Sequence, residues 1–406
     1  MKVRALPHLS GSAYSDYRRR AIFSCHKWDP QVEDVATITP FALALAHGEW
    51  RHLEQWARQL TAETLACEDE LWNRPDLHHL LGLSWSMRMA LRWGRRQGQP
   101  RAAARVMRFD FHPTAAGWAL SEVNSDVPGG FNEATGLTSL MLEHHPDLSM
   151  AGDPARQLAA RIRACSDERP VALVHCSAYS DDRQVMEFLG DHLHAVGVGT
   201  IACAPDALRW HDRGVSVGDR GPCAAIMRFF PAEWLPALPL GSHWWRFFAG
   251  DDVPATNPGS AVLVQGKRLP LLWGRLRTPL PTWRSLLPET CAVDEVADWN
   301  DGWLLKPAWG RVGEGVVGPG FGLVRDWDQA RAAARRYPHL WLAQRTFTSQ
   351  PIAGPFGPAH VCLGVYTIDG EAAGIYGRIA QTPPINRLAQ EVAVLIDPPV
   401  DARGAA

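Results

Sequence analysis

Apolar residues recur at spacings of three to five through Leu53, Trp56, Leu60 and Leu65, and again through Leu80, Leu83, Met87 and Leu91. That rhythm marks helices with one buried face, and residues 41–96 read as a helical scaffold. The pattern changes at Val106. Alternating residues in Val106–His112, a turn over Pro113–Gly117, and a second alternating run ending at Asp126 predict a strand, turn and strand. A helix is expected over Asn132–His144. From about residue 154 the order is helix, strand (Val171–Cys176), helix (Asp182–Val196), strand (Val198–Cys203), then strand again (Ala224–Phe229), which predicts a small α/β unit with a partly parallel sheet. A glycine-rich stretch, Leu304–Gly322, precedes a helix at Trp327–Arg336. Two further strands face each other across Asp369-Gly370, a dipeptide that favours a tight hairpin turn.

Composition narrows the class. At 406 residues with 46% hydrophobic content the chain is long enough for two or three domains around a substantial core. A formal charge of -2 lacks the basic excess of a general nucleic-acid footprint. No run of 18 apolar residues and no N-terminal signal-type segment is present, so no membrane span is expected and the cytoplasm is the expected location. Eight scattered cysteines form no C-x-x-C pair, which suggests reduced thiols in place of a zinc site or disulfide framework. Only four of the 41 basic residues are lysines: Lys2, Lys27, Lys267 and Lys306. Ammonium and guanidinium groups do different work, so each lysine is worth locating.

Three constellations can carry chemistry. Strand alternation puts Arg108 and Asp110 on one face of the first hairpin strand, and Glu122 and Asn124 share a face of the second. If those faces coincide, Asp110, Glu122 and Asn124 gather oxygen donors suited to Mg2+. A solvated polar face with an Arg108–Glu122 pair is the alternative. Second, Lys306 ends an apolar strand and is followed by Pro-Ala-Trp-Gly310-Arg311-Val-Gly313-Glu-Gly315, a lysine and loop able to surround phosphate oxygens. The G-x-G-x-x-G at Gly313, Gly315 and Gly318 does not open a helix, which excludes a dinucleotide fingerprint, and no Walker A loop is present. Third, Arg378 follows Gly377 near a strand end, where it could clamp a phosphoryl group or simply be exposed.

In combination these motifs resemble the synthetase domain of the glutathionylspermidine synthase family, a branch of the ATP-grasp ligases with rearranged element order. The matching residues are Arg108-x-Asp110, Glu122-x-Asn124-x-Asp126, Lys267 before Pro-Leu-Leu-Trp, Leu-Lys306-Pro-x-x-Gly310-Arg311-x-Gly313, Gln344, Ile368-Asp-Gly-Glu, and Gly377-Arg378, in family order over about 105–390. The resemblance implies a mixed α+β and α/β fold of ATP-grasp type, with a helical N-terminal segment and metal-binding hairpin (1–150), a small α/β subdomain (151–240) and a nucleotide-binding region with a glycine-rich lid (241–406). It implies that Asp110, Glu122 and Asn124 bind two Mg2+ ions of MgATP, and that Lys267 and Lys306 contact ATP phosphates beneath a loop containing Gly310, Arg311 and Gly313. Gln344 would lie near the adenine, and Arg108 and Arg378 would stabilise the transferring phosphoryl group. The implied activity joins a small carboxylate to an amine, a peptide or polyamine being candidates, through an acyl phosphate. Two alternatives stay open: a true glutathionylspermidine synthetase, and an ATP-binding protein without turnover. Val127-Pro-Gly129-Gly follows Asp126 where relatives that use glutathione carry hydroxyl side chains, a departure that bears on the acid. An amine substrate predicts an acidic pocket, for which Asp182 and Asp251-Asp252 are candidates.

Overall fold

The computed structural model describes residues 3–32, 34–98, 101–212, 214–250, 253–310, 313–319, 324–386 and 388–399. Its largest sheet runs Val3–Ala5, Ile38–Leu45, Gln390–Ile396, Glu371–Ala380, Gly357–Ile368, Val106–Thr114, Gly117–Asn124, with two short strands added at its side. The ladder is antiparallel except where Ile38–Leu45 lies parallel to Gln390–Ile396. The long helix His47–Trp72 packs Leu53, Ala57 and Leu60 with Phe109, Phe111, Leu363 and Val365 in one core. On the other side, Val106, Tyr366 and Ile368 share a second core with Phe131, Leu137 and Leu158. One sheet thus draws strands from both the 1–150 and 241–406 segments.

The expected hairpins form. Val106–Thr114 pairs with Gly117–Asn124, and Gly357–Ile368 pairs with Glu371–Ala380 across Asp369 (φ 49°) and Gly370 (φ 89°), both left-handed as a tight hairpin turn of the primed type requires. The helical reading of 41–96 fails at its start. Residues 41–45 belong to the buried strand Ile38–Leu45, and helices begin at His47 and Trp85. Ile-Thr-Pro-Phe-Ala-Leu-Ala-Leu is a short apolar run, and a strand buried on both faces has no period that separates it from a buried helix.

A second sheet is wholly parallel, in the order Thr200–Cys203, Val171–Val174, Ala225–Arg228, Ala255–Thr256, Ala102–Ala104. A smaller antiparallel sheet, Thr290–Cys291, Trp341–Arg345, Trp303–Pro307, has its own cluster of Leu305, Val317, Ala330 and Ala334. No helix among the described residues is long and apolar enough to cross a membrane.

A buried polar seam joins the two larger sheets. Asp126, just beyond the hairpin, is ion-paired with Arg228 at the end of a parallel strand, and both side chains are 0% exposed. The Ala232 N–H donates to the other Asp126 oxygen at 2.8 Å, and Arg228 also donates to the Phe230 carbonyl at 2.6 Å. Asn257, at φ 44°, donates to the carbonyls of Val106 (2.9 Å) and Asp126 (2.7 Å) and accepts from Arg105 (2.8 Å). Deleting one partner of such a pair leaves a buried charge uncompensated. Arg228→Met is therefore expected to cost about 3–5 kcal/mol in urea unfolding; a change within a few tenths of a kcal/mol would remove the seam from the stability of the fold.

Candidate active site

The polar face predicted for the first hairpin exists. In register, Arg108 lies opposite Asn124 and Asp110 opposite Glu122. The internal pairing differs from the expected alternative: Arg108 grips Asp110 on its own strand, Nε to Oδ1 at 2.7 Å and Nη2 to Oδ2 at 3.0 Å, while Glu122 pairs with Lys267 at 2.9 Å. Asn124 donates to Asp110 at 3.3 Å. The Arg108–Asp110 pair needs the neighbouring strand to be bare. Gly364 sits opposite Asp110, and a Cβ there would come within 2.6 Å of Arg108 Cδ and 2.9 Å of Asp110 Oδ1.

These side chains line a cavity of about 880 Å³, as do Lys267, Lys306, Gly310, Gly313 and Arg378. Arg108, Asp110, Glu122, Asn124, Lys267, Lys306 and Arg378 thus meet in one space. Lys267 also donates to the Gly310 carbonyl at 2.6 Å. Lys306 bonds to the side-chain oxygen of Gln344, which itself donates to Thr290 at 2.9 Å. Gln344, Lys306 and Lys267 line a second, small cavity of about 30 Å³ beside Val264, Trp283 and Leu287. Arg311 lies outside the described residues, as do Asp251 and Asp252.

Burial sets the charge states. It pushes the Lys306 ammonium down to about 8, with Lys267 adding to the effect and Glu122 opposing it. Burial would raise the Glu122 carboxyl, but Lys267, Lys306 and Arg108 outweigh it and hold it at about 2. His112 is pushed down to about 4, chiefly by burial and then by Lys306, so this cavity-wall imidazole is neutral near pH 7.

Two carboxyl groups and an amide form a hard oxygen set on one wall, and that chemistry fits Mg2+. Among the described residues no group of three or more His, Cys, Asp and Glu side chains is arranged to hold a metal ion.

Sequence reasoning left Lys27 without a role. It is 2% exposed, with Asp29 at 2.9 Å, Glu133 at 2.9 Å and Glu391 at 2.7 Å, and all four line the cavity. Burial and Glu133 push the Glu391 carboxyl up to about 8 against the pull of Lys27. Asp181 and Asp182, at the start of helix Ser180–Ala195, reach the same cavity. Tyr376 links the two regions: Arg108 stacks 4.9 Å above its ring, and its hydroxyl donates to Glu391 at 3.3 Å. Nothing in the spacing of residues 27, 29, 133 and 391 signals this cluster, because three separate segments supply it.

A mixed sheet beside a parallel one gives a mixed α/β fold of ATP-grasp type, with lysines, arginines and paired carboxylates around one large cavity. The chain matches the family described as glutathionylspermidine synthase preATP-grasp over residues 30–397, and it belongs to that family. No curated protein matches it in sequence. Among solved structures it is similar to a glutathione synthetase-like effector from Globodera pallida in apo form, with 11% identity, a TM-score of 0.65 and coverage of 94% of this chain and 96% of the other. It is also similar to a putative gamma-glutamylcysteine synthetase from Methylobacillus flagellatus, with 13% identity, a TM-score of 0.43 and coverage of 76% and 82%. At 11% identity the likeness to the first of these is one of fold.

The Lys27 cluster yields a prediction independent of any ligand. A carboxyl held protonated in the fold loses stability as pH rises, because the unfolded chain ionises near 4.5 while the folded one keeps its proton until about 8. Lys27→Met removes the compensating ammonium, so it is expected to destabilise by about 3–5 kcal/mol. The deficit should be larger at pH 8 than at pH 5 in urea unfolding, and a deficit independent of pH would detach the cluster from that titration.

Proposed function

We propose that this protein is an ATP-dependent carboxylate–amine ligase that forms an amide through an acyl phosphate. One observation carries the reading: a single cavity holds an oxygen-donor wall, two lysines and two arginines able to meet phosphate, and an acidic wall able to meet an amine. Phosphoryl transfer requires positioning and charge neutralisation more than covalent help. Lys267 and Lys306 would hold ATP phosphates, Gln344 would face the adenine side, and Arg108 and Arg378 would steady the phosphoryl group in flight. Asp110, Glu122 and Asn124 would hold Mg2+, which supplies neutralisation of charge on the transferring phosphoryl oxygens.

The substrate carboxylate oxygen bonds to the γ-phosphorus as the bond to the β,γ-bridging oxygen breaks, and ADP leaves. The amine nitrogen then bonds to the acyl carbon as the carbon–oxygen bond to phosphate breaks. Its surplus proton leaves on the departing phosphate, which is released as hydrogen phosphate. The loop from Gly310 onward would cover the acyl phosphate against water. The family name favours glutathione and spermidine as the pair, and the acidic wall suits a polyamine. The apolar Val127 and Gly129 favour a different acid.

ADP release should require both an acid and an amine, and Asp110→Asn should reduce it by at least about a hundredfold while the protein stays folded. Undiminished ADP formation would remove Asp110 from the metal site. Nucleotide binding without ADP release, whatever acid and amine are offered, would leave the ATP-binding reading alone. Because Lys306 loses its proton near 8, ATP affinity should weaken as pH rises through that value. Lys306→Arg, which does not titrate there, should flatten the profile in calorimetric titrations from pH 7 to 9.5; identical profiles would take Lys306 away from the phosphates.

A further inference from the structure

We propose that the acid used by this protein has an apolar body about the size of an aromatic ring. The inference rests on the ligase reading of the same cavity and names the class of its acyl substrate. It begins at the buried Asp126–Arg228 pair, because the residue that follows each partner lines the cavity: Val127 after Asp126, and Phe229 after Arg228. The Phe229 N–H donates to the Val174 carbonyl at 2.7 Å, which fixes the backbone just beyond the C-terminal ends of two parallel strands. That edge of a parallel sheet is where ligands of open α/β sheets bind.

The Phe229 ring lies against Gly129, where an added Cβ would stand 3.4 Å from Phe229 Cζ. The Gly129 carbonyl accepts the Arg108 Nη1–H at 2.6 Å, so the apolar wall adjoins the guanidinium assigned to the reacting phosphoryl group. Farther along the wall, Tyr179 and Trp234 stand with ring centroids 6.1 Å apart. Asp181 and Asp182 follow Tyr179 and make that rim negative. A body bearing further charges, such as glutathione with its second carboxylate and its ammonium, sets those charges against an apolar wall. A benzyl-sized body buries its ring on Phe229 and Val127 and brings no second charge.

The test uses the full chain with Mg2+ and a non-hydrolysable ATP analogue, titrated calorimetrically with 3-phenylpropionate and with glutathione. 3-Phenylpropionate should bind at least about tenfold more tightly, the ratio that burying part of one ring supplies. Phe229→Ser should weaken 3-phenylpropionate about tenfold, Phe229→Leu should keep most of the affinity, and neither should alter binding of the analogue. Glutathione binding equally well or better, no binding of either acid, or indifference of 3-phenylpropionate to Phe229→Ser would each overturn the proposal. A parallel assay with ATP and hydroxylamine separates the two readings. The expected binding pattern without ADP release upholds the apolar site and rejects the ligase; ADP release with glutathione and none with 3-phenylpropionate does the reverse.

Discussion

The ion pair between Asp126 and Arg228 is the constraint on which the site depends. Two charges with no exposure to solvent persist only where their hydrogen-bonding capacity is met, and here backbone groups of Ala232, Phe230 and Asn257 meet it. The pair locks the end of an antiparallel hairpin to the end of a parallel strand. Part of the cavity wall lies within a few residues of that lock: Glu122 and Asn124 before Asp126, Val127 and Gly129 after it, and Phe229 after Arg228. Asn257 extends the lock to Arg105, which is paired with Glu68 from the long helix, so the scaffold helix is tied into the same network.

Much of the site was readable because it is local. Arg108, Asp110, Glu122 and Asn124 lie on one hairpin whose alternation and turn are written in the chain, and strand geometry brings the four together in register. Lys306 and Gln344 belong to adjacent strands of one small sheet. What alternation could not supply is the choice among partners. Arg108 has Asp110 and Glu122 both within the reach of a hairpin, and the outcome turns on Lys267, which arrives from a distant segment and takes Glu122. Gly364 is similarly silent in sequence, a lone glycine in an apolar strand whose purpose appears only when Arg108 lies across it.

The fold was legible where helices and strands have distinct periods and illegible where burial on both faces erases the period. Ile38–Leu45 is the instance: every second residue of a strand buried on both faces is as apolar as its neighbour, so the run resembles the helix that follows it. The Lys27 cluster marks the same limit for charge. Asp29, Glu133 and Glu391 come from segments up to 362 residues apart in the numbering, and a buried cluster assembled over that range has no local signature. Its lysine, one of only four in the chain, offered scarcity as the sole hint.

The small antiparallel sheet that supplies Lys306 and Gln344 has a core of its own, separate from the two main clusters. Its links to the rest include the Arg268 guanidinium, which donates to the Leu80 and Pro338 carbonyls at 2.9 Å each and to that of Trp341, and the Trp309 indole on the Gly82 carbonyl at 3.1 Å. The consequence is mechanical. A unit that keeps its own interior meets the rest of the fold largely through contacts of this kind, whereas the sealed seam joins the opposite wall to the parallel sheet. Arg268 bonds to carbonyls on both sides of that joint, so the spacing between the two units is set in part by a side chain more than 100 residues from the oxygen-donor wall in sequence.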